Sequence, residues 1–266
     1  MTFNSNLVLR WAAIALTAGS LVQSASATLV MPSFATAPTG WVTDRYNPAS
    51  FGNVGTYQGR SDVLGIGIDS TGDATNRPSG QQATFYNTQG KQTAISGGPG
   101  SVLSADLFIN ASWADSNNGY VRTDMWGVMV DGTPAVSQYA IIGFTNYGGA
   151  ARLRVWDDTA WVDLGNAIAY DAWTSFAIDF TGSSLDYYVN GALAYSDGTL
   201  DGSVAFSAVI MQAYNFADPT LVPGAATPTT VPYVAHWSNT QVVPEPASLA
   251  LVALALLGLG VSRRRA

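Results

Sequence analysis

The chain has 266 residues, no cysteine, one histidine and a net charge of −7 at pH 7. Without cysteine there is neither a disulfide framework nor a thiol nucleophile, and a single histidine excludes zinc sites built on two or more. Between residues 28 and 243, seven basic residues stand against seventeen aspartates, which excludes a nucleic-acid surface, because such a surface must displace counterions with basic groups.

Residues 1–27 read as a secretory signal peptide. Arg10 and the amino terminus supply the positive start, Trp11–Val22 the apolar stretch, and Ala25-Ser26-Ala27 the small-residue cleavage site. Residues 28–243 are expected to form one domain, a length that all-β chains commonly fold as a single unit. The only glutamate of the chain is Glu245, so every acid in this domain is aspartate. Aspartate with abundant Gly, Ser, Thr and Asn disfavours helix and suits turns.

"GWVTDRYNPASF", Gly40–Phe51, reads as an early strand and corner packing against the last strand. The glycine-rich "GIGIDS" and "SGGPGS" lack phosphate-loop or dinucleotide spacing and read as turns. Strands are predicted at Val102–Ile109, Val121–Val130, Tyr139–Phe144, Arg152–Trp156, Trp173–Phe180, Leu185–Val189 and Val204–Tyr214. In "RLRVWDDTAW", Leu153 and Val155 fall on one face, and Arg152, Arg154 and Trp156 on the other. Asn190-Gly191 predicts a two-residue hairpin joining Leu185–Val189 to Ala192–Ser196, since a type I′ turn needs positive φ at both positions. Four prolines in Pro219–Pro232 read as an extended crossing before a last strand, Tyr233–Val243. The expected fold is all-β, a single antiparallel β-sandwich of the jelly-roll kind.

The chemistry is sparse. No Gly-x-Ser-x-Gly elbow occurs. His236, in "YVAHWS", reads as a hydrogen-bonded structural residue. Asp157 and Asp158 are the adjacent carboxylates an aspartate-based hydrolase would need, but on an extended chain adjacent side chains point to opposite faces. Trp156 and Trp161 are candidate flat faces for a sugar ring. Asp115 and Asn117 in "WADSNNGY", and Asp157 and Asp158 in "WDDTAW", are candidate calcium ligands, because hard oxygens in loops suit that ion.

Two stretches carry resemblances. "WTSFAIDFTGSSLDYYVNGALAYSD", Trp173–Asp197, resembles the late hairpin of concanavalin A-like and laminin-G-like domains. That resemblance implies a sandwich that binds carbohydrate, often with calcium at loop aspartates. The glucanase branch of this fold uses paired glutamates in a Glu-x-Asp-x-x-Glu pattern, which a domain without glutamate does not have. At the other end, Pro244-Glu245-Pro246, the apolar run Ala247–Val261 and Arg263, Arg264 and Arg265 resemble the PEP-CTERM sorting signal, here residues 244–266. As a helix the run would cover roughly 22 Å against a hydrocarbon core of about 30 Å, a short transmembrane hold with the arginines inside. The resemblance implies processing by an exosortase, transient anchoring in the inner membrane, and release to the cell surface or matrix of an exopolysaccharide-producing bacterium. The expectation is therefore an exported, non-enzymatic binding or matrix-associated protein with extracellular polysaccharide as its ligand. The alternatives are an aspartate-based hydrolase of extracellular polymer or a purely structural matrix protein.

Overall fold

The computed structural model describes residues 32–69, 87–216 and 231–238. These residues form two seven-stranded antiparallel sheets, packed face to face. The front sheet runs, in spatial order, β1 (Val42–Thr43), β4 (Thr88–Gly97), β13 (Ala205–Tyr214), β6 (Arg122–Val130), β7 (Val136–Thr145), β8 (Arg152–Trp156) and β9 (Trp161–Leu164). The back sheet runs β12 (Ala192–Asp197), β11 (Leu185–Val189), β10 (Ala172–Phe180), β5 (Ser101–Ile109), β14 (Tyr233–Ser238), β3 (Leu64–Ile68) and β2 (Ser50–Asn53). The proposed signal peptide, the proline-rich crossing up to residue 230 and the C-terminal tail lie outside the described residues. Among the described residues no helix is long and apolar enough to cross a membrane.

Period-two alternation builds the core. Phe176, Ile178 and Phe180 of β10 turn inward and are buried, while Ser175, Ala177 and Asp179 do not. They meet Met125 and Met129 of β6, Ile142 and Phe144 of β7, and Leu153 and Val155 of β8 in one cluster. Trp237 crosses the sandwich, fully buried, and its Nε1 donates to Thr123 Oγ1 at 2.9 Å. Tyr233 ties the sheets together in the same way: its hydroxyl donates toward the Arg122 and Tyr214 carbonyls and accepts from the Tyr214 amide at 3.0 Å.

The predicted hairpin is present. Asn190 and Gly191 have φ of 50° and 78°, between β11 and β12. Two expectations differ. "GIGIDS" is not a turn, because Leu64–Ile68 is the buried strand β3, flanked by β2 and β14. Its glycines make room rather than bends: a Cβ on Gly67 would sit 2.3 Å from Ser50 Oγ, and one on Gly65 2.6 Å from Val54 Cγ1. The Gly40–Phe51 stretch does not form one strand against the last. Val42–Thr43 joins β4 in the front sheet, and Ser50–Asn53 pairs β3, one strand short of β14. Trp41 and Phe51 bring the two pieces together, with ring centroids 5.2 Å apart.

Candidate functional site

The side chains that alternation turns away from the core of the front sheet make two parallel rows. Strand register aligns Gln92, Ile210, Trp126, Ile141, Trp156 and Trp161 from β4 to β9, an apolar and aromatic row. The next rung aligns Gly90, Gln212, Asp124, Gly143, Arg154 and Asp163, a polar row. Trp126, Val128, Ile141 and Ile210 form a second buried cluster on this outer face, separate from the main core. Arg45, on the segment after β1, lies 4.7 Å over the Trp126 ring and is paired with Asp44.

The polar row is unusually dry. Asp124 is wholly buried, and its Oδ2 accepts from Arg122 Nε at 2.7 Å and Gln212 Nε2 at 2.9 Å. Gly143 makes this possible, because a Cβ there would lie 2.3 Å from both Asp124 Oδ1 and the Thr123 carbonyl oxygen. Arg154, at 8 % exposure, stacks over Trp161 at 3.7 Å, and Arg122 approaches the same ring at 4.8 Å. Burial pulls the Arg154 pKa down to about 10, against the attraction of Asp124. Arg152 pairs with Asp163 at 2.8 Å at the rim.

Trp156 and Trp161 are therefore neighbours, with centroids 5.4 Å apart, edge to face. Both are half-buried, and guanidinium groups already lie against Trp161. The hairpin between them holds the acids. Asp157 Oδ1 accepts from the amides of Thr159 and Ala160 and from the Thr159 hydroxyl, and its Oδ2 from Tyr195 of β12 at 3.2 Å. These bonds, the Ala160 amide first, hold the Asp157 carboxyl below its usual range. Asp158 takes φ 71°, so the chain is not extended there. Asp158 interacts with Asp201, from the loop between β12 and β13. Partial burial, and then the hydrogen bond and charge of Asp201, push the Asp158 pKa up to about 6. Asp197 lies close by, its carboxyl raised by burial and its Oδ1 accepting from the Thr199 amide at 2.8 Å.

Asp115 and Asn117 are elsewhere, in exposed 3-10 turns between β5 and β6, near the opposite end of β8. There Asp115 Oδ1 is occupied by the Asn117 amide at 2.9 Å. Among the described residues no three His, Asp or Glu side chains gather as a metal-binding group. The carboxylates that converge are Asp158 with Asp201, not Asp158 with Asp157. His236 projects from the outer face of the back sheet. It stacks on Tyr57 at 3.7 Å beside a cavity of about 250 Å³ shared with Phe108, Asn110 and Trp113. Burial lowers its pKa, and ring stacking takes the place of the hydrogen bond expected of it.

Asp124, Gln212, Arg154 and Asp201 were not singled out from the sequence. Alternation in "RLRVWDDTAW" does place Arg154 beside Trp156, which was the available signal. Asp201 had none, because its partner is distant in the chain.

Residues 242–265 match the PEP-CTERM protein-sorting motif. No curated protein matches the chain. Among solved structures, the chain is similar to a Bacillus licheniformis β-glucanase at 15 % identity, over 79 % of this chain and 96 % of that one, with a TM-score of 0.43. It is similar to a prokaryotic β-1,3-1,4-glucanase from a mouse hindgut metagenome at 13 %, over 79 % and 97 %, with a TM-score of 0.45. A Crh5 transglycosylase aligns at 13 %, over 81 % and 86 %, with a TM-score of 0.42. At this identity the likeness is one of fold. These structures are glucanases and a transglycosylase, which runs against the expectation of a non-enzymatic binding or matrix protein. The chain is thus a two-sheet antiparallel sandwich followed by a PEP-CTERM sorting motif, and that motif implies export and processing by an exosortase.

Proposed function

We propose that the chain is an exported enzyme of extracellular polysaccharide, with aspartates in place of glutamates at its reacting centre. Residues 1–27 would be removed on export, and residues 28–243 would be a jelly-roll domain of the concanavalin A-like kind. Residues 244–266 would hold the chain in the membrane until Pro244-Glu245-Pro246 is processed. The observation that best supports the enzymatic reading is Asp158 beside Asp201 and the Trp156–Trp161 rung: burial first, and then the hydrogen bond and charge of Asp201, push the Asp158 pKa up to about 6.

Hydrogen-bonded carboxyls are closer than the roughly 5–9.5 Å at which separate acid and base residues flank a glycosidic bond. The acid is therefore Asp158, with Asp201 beside it holding its proton. Asp158 donates that proton to the leaving glycosidic oxygen as the bond from the anomeric carbon breaks. Water adds to that carbon, and the proton water loses returns to Asp158. Trp156 seats the sugar ring, and Asp157, held by its turn and by Tyr195, fixes the hairpin. Asp158 and Asp201 would hold a divalent cation such as calcium, which would compete with the proton on Asp158.

The test is release of reducing ends from β-glucans and acidic exopolysaccharides by the purified chain. Activity should fall as pH rises through about 6, where Asp158 loses its proton. Asp158→Asn and Asp201→Asn should each lower kcat at least a hundredfold, while Trp156→Ala should chiefly raise KM. Full activity in both aspartate variants, or no reducing ends from any polymer, would refute the reading.

A further inference from the structure

The back sheet has an outer face of its own, where His236 of β14, Phe108 of β5 and Trp173 of β10 share one rung. Residues 54–63 fold over that rung and are clamped in three ways. Tyr57 and Arg60 exchange backbone hydrogen bonds at 2.8 and 3.0 Å, Arg60 pairs with Asp106, and the Gln58 carbonyl accepts from Trp173 Nε1 at 3.1 Å. Tyr57 is thereby laid flat on His236, the two planes within 8°. The facing wall is the 3-10 turn Ala111–Ala114. Its cap Asn110 accepts from the Ser112 amide at 2.8 Å, and the Ser112 and Trp113 carbonyls each accept from an asparagine, Asn118 and Asn146, at 3.1 Å. The cavity of about 250 Å³ between these walls is thus fixed on both sides.

Four residues of the lining hold polar side-chain groups without a protein hydrogen bond among the described residues: the His236 ring, the Asn110 amide nitrogen and the Ser112 and Tyr57 hydroxyls. None of the four residues is fully buried, so each can meet a ligand. Burial lowers the His236 pKa, so at neutral pH the ring is uncharged, one nitrogen donating and the other accepting. The lining includes no Lys, Arg, Asp or Glu, which disfavours an anion or a metal ion as occupant. The convergent donors and acceptors disfavour a purely apolar one. Liquid water fills about 30 Å³ per molecule, so the volume equals about eight waters, room for one hydroxylated six-membered ring and not two. We infer that this cavity binds one uncharged sugar residue of a polysaccharide, its hydroxyls bonded to His236, Asn110 and Ser112. The polymer comes from the polysaccharide reading above, on which this rests, but no residue is shared with it. Trp156 and Asp158 belong to the front sheet and this cavity to the back, so a polymer gripped here is attached, not cleaved.

The chain has one histidine, so its imidazole resonances report this cavity alone. Methyl β-glucopyranoside added to the full chain at pH 7.5 should shift them saturably, with a Kd on the order of 1–10 mM for a single ring. Galacturonate and phenol should each bind at least fivefold more weakly. Ser112→Phe, which fills the cavity from an exposed position, should abolish the shift without lowering Tm. His236→Phe keeps a ring on Tyr57, and glucoside affinity measured by calorimetry should drop at least tenfold. Trp156→Ala should leave the shift as it is. Resonances unmoved by tens of millimolar glucoside would overturn the inference, as would equal affinity for galacturonate or phenol, or full binding in both cavity variants. Turnover of a polymer without the imidazole shift removes this site alone, and the shift without turnover of any polymer removes the enzymatic reading alone.

Discussion

Replacing Asp201 by Asn should stabilise the protein at neutral pH while disabling the acid pair. Asp158 carries a pKa raised from its usual 3.8 to about 6. The native state therefore keeps a proton that the unfolded chain has released between about pH 4 and pH 6, and wild-type stability falls as pH rises through that window. The rise corresponds to at most about 3 kcal/mol. Burial, its leading cause, survives the substitution, and the pair stands partly in solvent, so the share released is about 1 kcal/mol. In Asp201→Asn the amide donates to an ionised Asp158 instead of repelling it. The gain over wild type should be near zero at pH 4.5 and reach about 1 kcal/mol at pH 8, a rise in Tm of about 2–4 °C for a domain of this size. Scanning calorimetry of both proteins at the two pH values measures it. His236, whose pKa burial lowers, contributes equally to both proteins and cancels in the difference. A stability difference that is the same at pH 4.5 and pH 8, or a loss at pH 8, would refute the pairing of Asp158 with Asp201.

Three further outcomes are expected. Gly143→Ala would push a methyl against the Thr123 carbonyl and the Asp124 carboxylate, both 2.3 Å from it, and should cost about 3 kcal/mol in urea denaturation; a cost below about 0.5 kcal/mol would show that β6 and β7 are not so closely opposed. Millimolar calcium should raise Tm at pH 7.5 and lower the pH at which Asp158 titrates, reversibly with chelator, and an unchanged melting curve would remove calcium from the Asp158–Asp201 pair. In an exosortase-bearing host, intact mass should show that mature protein has lost residues 247–266 and that Glu245→Ala retains them; unmutated mature protein still carrying the tail would contradict the processing scheme.

What the sequence revealed and what it hid follow physical lines. β8, β10 and β11 were legible because apolar and polar residues alternate along them and one face is buried. The β11–β12 hairpin was legible because Asn-Gly is a local backbone requirement. β3 was hidden because Leu-Gly-Ile-Gly-Ile has the period of a strand but the composition of a turn, and only the close approach of Ser50 and Val54 explains its glycines. β4 was hidden for the opposite reason: "TQGKQTAISG" is polar on both faces, and Thr88 and Gln89 are buried by their neighbours, not by their own character. In the candidate site, Trp156, Trp161 and Asp158 came from residue type alone. Asp201 could not, because its meeting with Asp158 needs a hairpin of the front sheet to reach the edge of the back sheet. Nor could the burial of Arg154, which comes from its seat over Trp161.

The place of β14 in the back sheet has a consequence in time. It is the final described strand, yet it lies inside the sheet, with His236 opposite Phe108 of β5 on one side and Gly65 of β3 on the other. Until residues 233–238 arrive, β2–β3 and β5–β10–β11–β12 are two fragments, each presenting a raw edge. A chain that crosses amino terminus first therefore completes this sheet only once residues 233–238 have crossed. Pro244 follows Ser238 by six residues, a reach of about 20 Å at full extension. Closure of the fold and arrival of the sorting tripeptide are thus nearly one event, and the exosortase that the motif implies would meet a domain that has only just sealed itself.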